Sequence, residues 1–94
     1  MSALFFDKLL KERFYITLDF SNRLATDETL TDHEIVVTLD NVEVDGLVGV
    51  SVIDGTEVDI KVQGGIVGNS YKITISATTS LTNILETYIT MHVI

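Results

Sequence analysis

The 94-residue chain contains no cysteine, no proline and no tryptophan. Without cysteine there are no disulfides and no thiolate metal site, which fits a protein that folds in a reducing cytosol. Without proline, the turns must rely on Gly, Asn and Asp. Basic residues are also scarce: 6 Lys and Arg stand against 14 Asp and Glu, for a net charge of −8. Such a surface repels nucleic acid and anionic lipid, so no nucleic-acid or membrane partner is expected. No apolar run approaches the ~20 residues needed to cross a bilayer. Asp7 and Lys8 interrupt the short apolar segment at the N-terminus, which does not read as a secretory signal. This length allows one domain with a single thin core.

What the chain does have is alternation. Phe14, Ile16, Leu18 and Phe20 alternate with Tyr15, Thr17 and Asp19, which predicts a strand over 14–20. Residues 21–32 are polar and read as a loop, with Leu24 and Leu30 as anchors on the core. Thr26-Asp27-Glu28-Thr29 resembles a helix start, but no amphipathic run follows it. A strand over 33–40 buries Ile35, Val37 and Leu39, and residues 41–45 continue it as a short strand. Asp45-Gly46 and Asp54-Gly55 are turn signals that bracket a strand with Val48, Val50 and Val52 inward. The strand over 56–63 then buries Val58, Ile60 and Val62.

Gly64, Gly65 and Gly68 form a flexible corner ahead of Tyr71, which opens a strand with Ile73, Ile75 and Ala77 on its buried side. A polar turn at 80–83 leads into a last strand over 84–94, with Leu85, Ile89, Met91 and Val93 on one face. These elements predict an all-β fold, an antiparallel immunoglobulin-like β-sandwich of about seven strands occupying residues 14–94.

Residues 1–13 stand apart as a short N-terminal arm or helix. Phe5/Leu9 and Phe6/Leu10 are four apart, as on one side of a helix. Two readings stay open: a lead-in packed on its own domain, or an arm whose Leu4, Phe5, Phe6, Leu9 and Leu10 dock on a partner. Charge is uneven as well. Ten carboxylates and no Lys or Arg lie between Asp27 and Asp59, whereas Lys8, Lys11, Arg13 and Arg23 lie near the N-terminus. This describes either a solvated acidic face or one that pairs with a basic neighbour.

Residue sets that carry chemistry are not apparent. His33 and His92 are read on the polar sides of strands, with no HxH or HExxH spacing for zinc. Glu57 and Asp59 share a strand face, but a glycosidase would also want stacking aromatics around a cleft. Residues 41–46 begin like a calcium loop, yet the twelfth position is Val52 rather than Glu. The glycine run lacks the Lys-Ser/Thr ending of a phosphate loop. No catalytic, cofactor or metal site is expected, and the reading is of a non-enzyme.

The order of features resembles a known family. The strand Tyr15-Ile16-Thr17-Leu18-Asp19-Phe20 precedes the polar loop 23–30, the strand 34–40 and the pair over 56–63. Gly64-Gly65-Ile66-Val67-Gly68-Asn69-Ser70-Tyr71 then enters a Thr-rich penultimate strand. Over roughly residues 15–94 this resembles the small all-β virion proteins of tailed bacteriophages called fiber–tail adaptors. The resemblance implies a structural protein of the particle, made in the host bacterial cytoplasm, that joins tail or neck to a fiber. Its partners would be other virion proteins, in multiple copies set by particle symmetry. Alternatives are a capsid decoration or head-completion protein, or a stand-alone carbohydrate- or calcium-binding module for which Tyr15 and Tyr88 are the surface aromatics.

Overall fold

Among the described residues there are eight strands, most of them built by period-two alternation rich in Val, Ile and Thr: β1 (Leu4–Lys8), β2 (Phe14–Asp19), β3 (Leu30–Leu39), β4 (Val42–Glu43), β5 (Val48–Asp54), β6 (Glu57–Val62), β7 (Ser70–Thr79) and β8 (Ile84–Val93). The computed structural model describes residues 4–94, with Leu4 described by its backbone alone. A single 3-10 turn, Ser21–Arg23, is the one helical element among the described residues. The strands form two sheets, one in the order β1-β8-β7-β3-β4 and the other β2-β6-β5. Val58, Ile60 and Val62 of the small sheet join Tyr71, Ile73, Ile75, Met91 and Val93 of the large one in a single buried cluster. Each such side chain contributes about 1.5–3 kcal/mol by leaving water, so this shared layer is the main stabilising term.

Three expectations are corrected. Residues 4–8 form a strand and not a helix, and they pair parallel to β8, Leu4 with Ile89 through Lys8 with Val93. The sheet is therefore not purely antiparallel. So short a segment cannot sustain a helical ladder alone, whereas the open edge of β8 supplies partners for its backbone. Residues 1–3 of the expected arm lie outside the described residues.

The second correction concerns β5. Val48 pairs with Val62 but Ser51 with Ile60, so β5 takes three steps where β6 takes two. That extra residue is a bulge, and it reverses the faces that follow. Val50 and Val52 are exposed, and Ser51 and Ile53 turn inward instead.

Third, the chain folds back at Asp40-Asn41, which both hold positive φ (50° and 66°) as a two-residue I′-type turn requires. β4 thus pairs with β3, Leu39 opposite Val42. Asp45-Gly46 carries the chain across to the other sheet rather than closing a hairpin. The Asp54-Gly55 hairpin joins β5 to β6 as its dipeptide predicts.

At the end of the molecule where β7 finishes, buried Glu28 fastens the 20–29 loop. Its carboxylate accepts hydrogen bonds from the Thr79 hydroxyl, the Ala25 amide and the Asn83 side chain. The Thr79 hydroxyl and then the Ala25 amide hold its carboxyl below the ordinary glutamate value; burial opposes this and Asn83 adds to it. A folded-state pKa below the unfolded one gives stability that is present above the unfolded pKa and lost as pH falls through the folded one. Glu28→Gln, which removes the charge and replaces one of the two accepting oxygens with a donor, is therefore expected to destabilise the protein at pH 7. The gap from wild type should narrow on acidification towards and below the ordinary carboxylate range. Urea unfolding midpoints across that range check this, and a gap constant with pH would refute it.

Candidate docking surfaces

The strand order leaves two open flanks. On one, β1 and β2 are the edges of their sheets; on the other, β4 and β5 are. Unpaired strand edges offer backbone donors and acceptors to a neighbour.

The β1/β2 flank is built by alternation along β1. Phe5 points outward and is 80% exposed. Phe6 points inward and meets Phe14 edge-to-face at 5.8 Å, an arrangement worth about 0.5–1.5 kcal/mol beyond area. Lys8 is fully buried, and its ammonium donates to the carbonyls of Leu9 (2.9 Å), Leu10 (3.0 Å) and Gly64 (2.9 Å). Glu12 closes the following loop by accepting from the Leu9 amide at 2.7 Å. Leu9 and Leu10, fixed at this turn, are both exposed.

The β4/β5 flank holds a cleft of about 330 Å³ between the sheets. Ile35, Val37 and Leu47 supply apolar lining, and the exposed carboxylates of Glu43 and Asp45 sit on its rim. His33 shares the face of Ile35 and Val37 rather than the polar side expected of it. Its Nε2 lies 2.7 Å from the Ser51 hydroxyl, which the bulge has turned inward. Gly64 ties the two flanks across this end of the molecule. Its carbonyl accepts from Lys8, while its Cα side lies against Leu47.

The five residues expected to dock are thus divided. Phe5, Leu9 and Leu10 are presented to solvent, Phe6 is packed on the core, and Leu4 holds the first position of β1 with its side chain outside the described residues. Sequence reasoning missed Lys8 and the cleft. The alternation Phe6-Lys8 was the available signal for an inward lysine, but it spans too few residues to fix a register.

The alternative chemistries find little support here. Tyr15 and Tyr88 lie on different sheets, each under a lysine, with Lys61 5.6 Å and Lys72 4.5 Å from the ring centres. They form no joint platform for a sugar. Among the described residues, no group of three His, Asp or Glu is placed to hold a metal ion.

A family model described as podophage GP4 fiber-tail adaptor protein gp77 matches residues 8–92. No curated protein shows significant similarity to the chain.

Proposed function

Because the chain belongs to the podophage GP4 fiber-tail adaptor family, a family of phage tail structural proteins, we propose that it joins tail to fiber in the particle. The observation that carries this reading is the match itself, which runs through every strand from the end of β1 to the end of β8. The geometry supports it. A two-sheet body with open edges on both flanks can hold two different neighbours at once. The exposed Phe5, Leu9 and Leu10 are the apolar contacts such a body offers on its β1/β2 side.

A reconstruction of the particle tests the placement: density for this chain between tail and fiber is expected. Density on the head would favour decoration or head completion instead. For the surface itself, Phe5→Ser should leave stability within about 0.5 kcal/mol, as for other exposed sites, yet reduce incorporation into particles severalfold. Normal incorporation of that variant would remove Phe5 from the docking surface.

The finer fold reading is also ours: an immunoglobulin-like sandwich. Its support is the corner before β7, where the Ile66 amide donates to the Tyr71 hydroxyl at 2.9 Å, five residues upstream, as in a tyrosine corner. β2 pairs directly with β6, and residues 20–29 cross as a loop where a constant-type domain has its second strand. An experimental structure in which the sheets close into a barrel would end this reading.

A further inference from the structure

The outer face of the three-stranded sheet β2-β6-β5 carries an apolar strip. On the inner side Val58, Ile60 and Val62 are fully buried, whereas Tyr15, Val50 and Val52 on the outer side are all exposed. Tyr15 stands opposite Lys61 and Val52 opposite Asp59, with Val50 two residues from Val52 along the same strand. The β5 bulge puts the valines there. Strict alternation from half-buried Val48 would turn both into the core; the extra residue turns them out and sets the Ser51 hydroxyl inward instead. Giving up two buried valines for a serine loses apolar burial, and a partner that covers the face restores it.

Beside this strip runs a row of one charge. Asp19 pairs with Glu57 and Glu57 with Asp54, so three carboxylates stand abreast across β2, β6 and β5. Like charges directly opposite each other on neighbouring strands repel, and a cationic neighbour removes that cost. Lys61, the one cation on these three strands, stands at the other end of the face, 5.6 Å from the centre of the Tyr15 ring. We infer that this face binds a segment of another virion protein in which aliphatic side chains are followed by two or more Lys or Arg. The aliphatic side chains cover Tyr15, Val50 and Val52, and the cations reach Asp19, Glu57 and Asp54. The contact is made through the face of the sheet and leaves the strand edges on either flank to their own neighbours. It rests on the chain standing in the particle, as the adaptor reading has it.

Particles carrying the photo-crosslinker benzoylphenylalanine in place of Val52 test this, with mass spectrometry of the joined peptides. The expected product joins position 52 to a peptide of another virion protein that holds at least two Lys or Arg. Added to the same particles, D54K/E57K should lower that yield about tenfold. D54N/E57Q, which keeps side-chain size, should lower it less. Urea unfolding of the purified variants separates binding from folding: both should unfold at or above the wild-type midpoint, because the repulsion along the row is relieved. Midpoints below wild type for both variants overturn the proposal, since the row would then serve the fold. A yield that neither variant lowers overturns it too. So does a product limited to a second copy of this chain, a partner peptide without basic residues, or no product from particles that contain the chain. Particles that lack the chain would instead fail the adaptor reading, and this surface with it.

Discussion

Lys8→Ala is expected to lower the unfolding free energy by about 2–4 kcal/mol, a large share of what a domain of this size holds. The ammonium donates three hydrogen bonds at 2.9–3.0 Å, and each goes to a backbone carbonyl. Bonds to a charged donor are stronger than neutral ones, and carbonyls stripped of a partner away from water carry a further penalty. The loss should not be even across the molecule. Lys8 fixes the end of β1 to Gly64, so amides of β1 and the facing edge of β8 should exchange faster than those of β7. Lys8→Met, which keeps the apolar stem, separates the bonds from the packing: it should recover only a minor part. Chemical unfolding with hydrogen exchange measures both, and a loss under about 0.5 kcal/mol would show that the buried ammonium is dispensable.

Gly65→Ala should be comparably damaging, by about 2–4 kcal/mol, for a different reason. Gly65 holds φ +98°, which side chains rarely adopt, and an added methyl would fall 2.6 Å from Val93 Cγ2 and 3.3 Å from Tyr71 Cε2. Neither neighbour can yield easily: Val93 and Tyr71 are both buried in the core. Gly68 is the internal control. It holds φ +93°, but a methyl there meets nothing within 4 Å. Gly68→Ala should therefore cost only the backbone strain, about 1 kcal/mol. The difference between the two variants in thermal or urea unfolding isolates the steric contribution. Equal losses would mean that the corner relaxes and that the packing argument is wrong.

The second half of the chain was legible because several local signals agree there. In β6, Val58, Ile60 and Val62 alternate with polar residues right after an Asp-Gly turn, and all three are fully buried. In β7, the glycine corner and the run from Tyr71 to Ala77 likewise lead to one buried face. Where signals conflicted, the sequence misled. Three valines in β5 alternate perfectly, but a bulge sits among them, and one inserted residue cannot be seen in hydrophobicity. Asp40-Asn41 lacks the glycine that usually marks a tight hairpin, so the stronger Asp45-Gly46 signal drew the turn to the wrong place. The docking surfaces were legible only in part. Apolar content located Phe5, Leu9 and Leu10, but the cleft joins residues of β3, β4 and β5 that only the crossover between sheets brings together.

The parallel pairing of β1 with β8 has a mechanical consequence. Both strands run the same way, so tension between Leu4 and Ile94 slides one strand along the other. All five rungs from Leu4–Ile89 to Lys8–Val93 then carry the load together, whereas a peeling force would break them one after another. The seam resists a lengthwise pull far better than a sideways one.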